Sequence, residues 1–270
     1  MSCIPLHRIS QPMHLRIQIP ARNEAPTLAV VVRTAREAAS RLLREDDRLS
    51  VLILDDGSTD GTSEIGEALA NEEACVRFWR SPEHIGLGRI FRAGIADARQ
   101  SGADLVVHID GDGQFDANEM GLLVDPIRRG AADLALGSRF LDPNLVPRME
   151  RTRRWGNAGV ARWVSGLIGQ PLADVSCGFR AFSSAALAAM ELKANFTYTH
   201  ESILLCAFAG LNILEVPVTV RGIREHGVSR LAANPLVYGW YAGRVIVRTT
   251  LSHRLFGAPA SAPVVAEIQP

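Results

Sequence analysis

Apolar and polar residues alternate along Leu15-Arg-Ile-Gln-Ile19, and the alternation stops at Pro20, the pattern of a first strand. Asn23-Glu24-Ala-Pro26 then opens a helical stretch reaching Leu43, with Pro26 acceptable in its first turn because no helical partner needs its missing N–H. Ser50-Val-Leu-Ile-Leu54 is a short apolar run, as expected of a strand buried on both faces, and it breaks into the polar turn Asp55-Asp-Gly-Ser-Thr-Asp60. The next helix carries Ile65, Ala68 and Leu69. Cys75–Trp79 reads as a third strand, and Gly86–Arg99 as a loop followed by a helix. Asp104–Ile109 is a fourth strand running into Asp110-Gly-Asp-Gly-Gln114. A helix over Asn118–Arg129 leads to a fifth strand, Asp133–Leu136, before Gly137-Ser-Arg139.

Strands alternating with helices predict an α/β fold with a mostly parallel, mixed sheet flanked by helices. Ligands of such sheets bind beyond the carboxyl ends of the strands. Four strands end in polar, glycine-rich or acidic turns: Pro20–Glu24, Asp55–Asp60, Asp110–Gln114 and Gly137–Arg139. The expected organisation is a flexible lead-in at 1–13, one domain over 14–232, an amphipathic helix at 233–256 and a disordered tail at 257–270, where Ala and Pro abound.

Composition narrows the function classes. The 270 residues hold 29 basic and 29 acidic side chains, and this balance argues against a general nucleic-acid binder. The four cysteines, Cys3, Cys75, Cys177 and Cys206, have no zinc-site spacing and read as thiols of a reducing compartment. No stretch reaches the roughly 18 uncharged apolar residues of a spanning helix. The longest candidate, Leu236–Leu251, contains Arg244 and Arg248. The expectation is a cytoplasmic protein that can lie against the cytoplasmic membrane face. In the 234–255 segment, Trp240, Tyr241 and several aliphatic residues fall at helical spacing with Arg244, Arg248 and Arg254 between them. An interfacial helix and an ordinary amphipathic helix both have this form.

Asp110-Gly-Asp112 is the sharpest chemical signal. Residues i and i+2 of an extended turn point to one side, so two carboxylates can converge on a hard cation, with Gln114 adding an amide oxygen. Mg²⁺ or Mn²⁺ would then take its remaining ligands from water and substrate phosphates. The alternative is a plain acidic turn. An EF-hand is excluded, because Phe115 and Gly121 stand where its Gly and closing Glu belong. Asp55 and Asp56 suit either hydrogen bonds to a nucleobase or ribose, or an Asx turn capping the helix after Asp60. Gly86-Leu-Gly88 allows close backbone approach to a donor but is no dinucleotide fingerprint, since Phe91 fills the third glycine position. Arg139 suits a phosphate or a surface ion pair.

Together these residues resemble the family 2 glycosyltransferases, and within them the polyprenyl-phosphate (dolichol-phosphate) mannose or glucose synthases. The resemblance rests on Ile19-Pro-Ala-Arg-Asn-Glu24, Leu54–Thr62, Gly86-Leu-Gly88 with Gly94, Ile109–Gln114, Gly137-Ser-Arg139 and Asp174-Val-Ser-Cys-Gly-Phe-Arg180, in family order over roughly residues 15–231. It implies a GT-A-type, nucleotide-diphospho-sugar transferase fold. Pro20, Arg22, Glu24 and Asp55 or Asp56 would form the nucleobase and ribose pocket. Asp110, Asp112 and Gln114 would hold Mg²⁺ or Mn²⁺, and Arg139 would face phosphate. Asp174, Ser176 and Gly178 would shape the sugar pocket with Arg180 behind them. Arg153, Arg154 and Asn157 match the basic stretch before the acceptor cleft. Arg221, Ser229 and Arg230 match the segment that closes over the diphosphate. Two departures concern base and sugar identity: Arg22 replaces a frequent aromatic, and Ser229-Arg230 replaces the usual Ser-Lys.

The implied partners are a nucleotide-diphosphate sugar and a polyprenyl phosphate or another acceptor. A hydroxyl acceptor needs a general base, for which Glu201 in Thr199-His-Glu201 is the candidate; the alternative is an acidic residue favoured in a helix's first turn. A phosphate acceptor needs no strong base but does need cations, and Arg148, Arg151, Arg153, Arg154 and Arg162 form a local basic excess. That excess is also compatible with a solvated loop. A soluble family 2 transferase acting on a hydroxyl is the second enzymatic reading, and a non-catalytic binder of nucleotide sugars the alternative of another class.

Overall fold

The computed structural model describes residues 12–147, 149–221 and 235–257. Among the described residues seven strands form one sheet: β1 (His14–Ala21), β2 (Arg48–Asp55), β3 (Val76–Arg80), β4 (Leu105–His108), β5 (Leu134–Ser138), β6 (Arg180–Ser183) and β7 (Ile213–Pro217). The α-helices among the described residues are α1 (Leu28–Ser40), α2 (Thr62–Glu72), α3 (Leu87–Gln100), α4 (Met120–Arg128), α5 (Arg151–Ile168), α6 (Ser184–Ala189), α7 (Thr199–Phe208) and α8 (Pro235–Phe256). The strand order is β3-β2-β1-β4-β6-β5-β7, and only β6 runs against the rest. The mixed, mostly parallel sheet predicted from the sequence is present. The last two strands, β6 and β7, were not anticipated. They are short and carry polar or charged residues at Arg180, Ser183 and Glu215, so the apolar pattern is weak.

β1 is buried along its whole length. Leu15, Ile17 and Ile19 pack with Val31, Val32, Met120 and Leu123 in a core beneath α1 and α4. The alternate residues point to the other face and are also covered. Arg16 pairs with Asp97 of α3, and Gln18 lies against Gly94, where a Cβ would come within 2.9 Å of its amide. The alternation therefore marks two buried faces of different chemistry rather than one wet face. A second core, including Phe91, Val106, Leu136, Phe182, Ile203 and Ile246, fills the other side of the sheet. Each such side chain contributes about 1.5–3 kcal/mol by leaving water.

β1 continues past its expected stop to Ala21. Pro20 has no N–H, but its carbonyl still accepts from Gly111 N at 3.1 Å, and the Ala21 carbonyl accepts from Asp56 N at 2.9 Å. These two bonds bring the ends of β1, β2 and β4 together. Because β6 is antiparallel, with Arg180 opposite His108, the segment that enters it, 174–179, reaches the same edge.

Candidate functional site

All four polar turns lie at the carboxyl edge of the sheet, as their strands are parallel. Asp110 leaves β4 with its side chain about a third exposed (32%). Beside it, a Cβ on Gly178 would stand 2.6 Å from Asp110 Oδ2, so glycine at 178 is what allows that carboxylate its place. Beneath it, the fully buried His108 points Nε2 at Asp110 Oδ1 from 3.7 Å, beyond hydrogen-bond range. Burial pushes the His108 ring below its usual range, so it is neutral there. Phe91 and Tyr198 enclose His108 edge-on, each with its ring centroid 4.9 Å away. Asp112 Oδ1 accepts Gln114 N at 3.0 Å. The Gln114 amide donates to the Arg221 carbonyl at 3.2 Å, and Arg221 N donates back to the Gln114 carbonyl at 2.9 Å. Among the described residues, no three or more His, Cys, Asp or Glu side chains gather as a metal cage. Two carboxylates with an adjacent amide oxygen fit a cation that completes its shell from water and substrate phosphate.

Asp55 and Asp56 sit in a different environment. Asp55 is fully buried and accepts Ser58 N at 2.9 Å, Ser58 Oγ at 2.5 Å and Ser63 Oγ at 2.5 Å, with Arg80 at 3.7 Å. Asp56 accepts Ile85 N at 2.7 Å, Gly86 N at 3.1 Å and the His84 ring at 2.8 Å. Directly after them Gly57, at φ 65°, lies so near the backbone of 83–84 that a Cβ would be 2.6 Å from Glu83 C. These carboxylates organise their own turn and the 84–86 loop. The same turn holds the 22–24 segment: Ser58 Oγ accepts Asn23 N at 2.9 Å, and Thr62 Oγ1 accepts Glu24 N at 2.8 Å. Pro20 and Glu24 are buried there, and the Arg22 Nε is buried without a hydrogen-bond partner. Gly86 and Gly88 come close to protein backbone. Gly88 N donates to Asn195 O at 3.1 Å, and a Cβ at 88 would meet Ala194 O at 2.5 Å.

Arg139, at the end of β5, forks onto Asp174: Nε to Oδ2 at 2.6 Å and Nη2 to Oδ1 at 2.9 Å, with Nη2 also 2.7 Å from Ser176 Oγ. Burial opposes both charges, but the pair's mutual attraction prevails; it raises the guanidinium above its ordinary value and lowers Asp174 below the usual carboxylate range. Nη1 of Arg139 has no hydrogen-bond partner among the described residues. Ser176 Oγ lies 3.2 Å from Asn157 Oδ1, which ties α5 to this cluster. Arg180 is wholly buried, bonded to the carbonyls of Cys177, Thr199 and Val175 and to Ser202 Oγ. It ties the 174–179 segment to α7.

Glu201 is buried and accepts Lys193 N at 3.0 Å and Ala194 N at 2.8 Å, with Arg248 at 3.7 Å. Burial raises its carboxyl above the usual range. It anchors the same 193–195 segment on which Gly88 rests. His200 is buried too, which pushes its ring down to about 3. Arg148, Ser229 and Arg230 lie outside the described residues. Reading the sequence did not single out Glu215 or Glu119. Glu215 accepts Asp174 N at 2.6 Å, and Glu119 accepts Thr219 N and its hydroxyl at 2.7 Å each. A lone glutamate in a strand or a first turn carries no signal that it will hold a distant backbone.

Residues 17–190 match the model of glycosyl transferase family 2. The chain belongs to that family. Among similar proteins, the undecaprenyl-phosphate mannosyltransferase of Micrococcus luteus is 28% identical over 236 residues, 86% of this chain and 90% of its own. The dolichyl-phosphate hexose transferase of Haloferax volcanii is 30% identical over 234 residues, 84% and 96% of the two chains. Glycosyltransferase AglD of the same organism is 31% identical over 209 residues, but the match spans only 33% of its length. Among solved structures, glucosyl-3-phosphoglycerate synthase of Mycobacterium tuberculosis, in complex with Mn²⁺, UDP and glucosyl-3-phosphoglycerate, superposes with a TM-score of 0.63 at 21% identity, covering 95% of this chain and 84% of that one. That likeness establishes the GT-A architecture.

Proposed function

We propose that this chain moves a hexose from a nucleotide-diphosphate sugar to a polyprenyl phosphate, inverting the anomeric carbon, at the cytoplasmic face of a membrane. The observation that carries the proposal is the Asp110–Asp112 pair, partly exposed at the sheet edge while the neighbouring Asp55 and Asp56 are enclosed by protein donors. Asp110 and Asp112, with the Gln114 amide oxygen, would hold Mg²⁺ or Mn²⁺, which when bound offsets charge building on the departing diphosphate. Mn²⁺ accompanies UDP in the structurally similar synthase. Pro20, Arg22 and Glu24, held by the Asp55–Thr62 turn, would line the base and ribose pocket. Asp174, Ser176 and Gly178 shape the sugar side, and Arg139 is kept cationic and aimed by Asp174. Ser229 and Arg230 would close over the diphosphate.

In the reaction, an acceptor phosphate oxygen forms the new bond to the anomeric carbon as the bond to the diphosphate oxygen breaks, and the nucleoside diphosphate leaves. Such an acceptor is already an anion and gives up no proton. Both Glu201 oxygens accept backbone amides, which favours this acceptor over a hydroxyl that would need Glu201 as base. The names of the relatives from Micrococcus and Haloferax favour it as well.

The test is a transfer assay with Mg²⁺ or Mn²⁺, a panel of GDP- and UDP-sugars and short polyprenyl phosphates, followed by organic extraction. A sugar-labelled lipid made by the wild type and not by Asp112→Ala is expected. Metal-dependent release of nucleoside diphosphate without a lipid product would transfer the proposal to a soluble hydroxyl acceptor. Donor binding with neither product would leave a non-catalytic binder.

A further inference from the structure

Beneath Asp110, two wholly buried side chains keep polar atoms without a hydrogen-bond partner among the described residues: both ring nitrogens of His108, and both the amide oxygen and the amide nitrogen of Gln18. The two are register partners on the parallel strands β1 and β4, so they leave the sheet on the same side. Gln18 lies against Gly94 of α3, and His108 lies edge-on to Phe91, one turn earlier in that helix. A buried polar atom left unbonded loses its hydration and gains nothing in exchange. Packing does not call for histidine here. The other residues of β4, Leu105, Val106 and Val107, are buried aliphatics, and the ring sits against Phe91 and Tyr198, which stack on each other at 3.6 Å. What sets position 108 apart is its neighbour, for Nε2 faces Asp110 Oδ1 from 3.7 Å. The other oxygen, Oδ2, lies on the Gly178 side, and the Tyr198 hydroxyl that flanks His108 donates to the Gly178 carbonyl at 3.2 Å.

We propose that His108 is a positioning residue for Asp110: with a divalent cation bound, its Nε2–H donates to Oδ1 and leaves Oδ2 to the cation, while the Gln18 amide holds Nδ1. This rests on the reading of Asp110 as a cation ligand. A neutral imidazole has one donor nitrogen and one acceptor, and a carboxylate only accepts. Nε2 must therefore carry the proton if the ring is to hold Asp110. Nδ1 is then an acceptor in need of a donor, and the Gln18 NH₂ on the paired strand is the group placed to supply it. A hydrogen bond to one oxygen fixes the angle at which a ligating carboxylate presents the other, which is how groups behind metal ligands raise affinity. A neutral ring does this without setting a positive charge beside the cation. Gly178 clears the space at Oδ2, and His108 secures Oδ1, so the two oxygens of one carboxylate have separate tasks.

The experiment measures Mn²⁺ binding to the full chain by electron paramagnetic resonance, with the metal alone as probe. His108→Phe keeps an aromatic ring in the aromatic site but removes the donor, and it should weaken Mn²⁺ binding about 10- to 100-fold while the thermal midpoint holds. His108→Gln restores an N–H near the place of Nε2 and should recover most of the lost affinity, which a role in packing alone would not produce. Gln18→Leu should weaken binding by the lower end of that range, about tenfold. The wild-type chain supplies a reading that needs no variant to fold. Long-range ¹H–¹⁵N NMR of the histidine rings should show His108 as the Nε2-protonated tautomer, with a signal that shifts on addition of Mg²⁺. An Nδ1-protonated ring, or a folded His108→Phe chain that binds Mn²⁺ like the wild type, would overturn the proposal. Asp112→Ala separates the two readings. If it binds Mn²⁺ as tightly as the wild type, the cation site itself is wrong; if it loses binding while His108→Phe keeps it, only the role of His108 falls.

Discussion

Asp55-Asp56 and Asp110-Gly-Asp112 are both acidic turns at the ends of β2 and β4, separated in the sheet only by β1. In sequence they look interchangeable. In the fold they are opposites. The first pair is enclosed by hydroxyls, amides, the His84 ring and Arg80; it holds the 84–86 loop directly and, through Ser58, the amide of Asn23. The second is partly exposed, with Asp110 closely approached by a neutral His108 and a residue, Gly178, that has no side chain. A carboxylate surrounded by fixed donors has its oxygens bonded within the protein, and one turned towards solvent beside a glycine can meet a ligand. The difference lies in the neighbours rather than in the aspartates.

The comparison can be broken most directly at Asp110. Asp110→Asn should lower metal-dependent turnover by about 10³-fold, the scale of losing a charge-stabilising group, while the thermal midpoint stays near wild type. A large fall in the midpoint would place Asp110 with the structural pair. Asp55→Ala should do the reverse. Orphaning two serine hydroxyls, an amide and Arg80 should cost about 3 kcal/mol in urea unfolding, with Mn²⁺ affinity per folded molecule largely kept. Smaller in scale, Gly178→Ala should reduce Mn²⁺ affinity by about 10- to 100-fold, because the methyl displaces Asp110 Oδ2; unchanged affinity would show that Asp110 has room to spare.

The mildest effect concerns acid. His200 is held neutral, with its ring lowered to about 3 from an unfolded value near 6.5. A lowered folded value means that the unfolded chain takes up the proton first. The stability from this group is therefore complete above pH 6.5 and is lost as the pH falls towards 3, with a slope approaching roughly 1.4 kcal/mol per unit. His200→Gln should flatten that slope in urea titrations at pH 4 to 7, whereas Asp110→Asn should leave it in place. An identical slope in His200→Gln would remove His200 from the structural set.

Much of this protein is determined by its sequence. Apolar runs ending in Asp55, Asp110 and Arg139 dictate buried parallel strands and put their turns on one edge, because parallel strands share a direction. The i, i+2 spacing of Asp110 and Asp112 singles out a candidate pair of cation ligands. The tertiary structure decided what spacing cannot express. It set β6 antiparallel between β4 and β5, which carries Asp174, Ser176 and Gly178 to Asp110 from more than sixty positions away. It filled the oxygens of Asp55, Asp56 and Glu201 with backbone and hydroxyl donors. A residue's type states which bonds it can make. Whether those bonds are used within the protein or remain available to a ligand depends on which distant groups the fold packs against it.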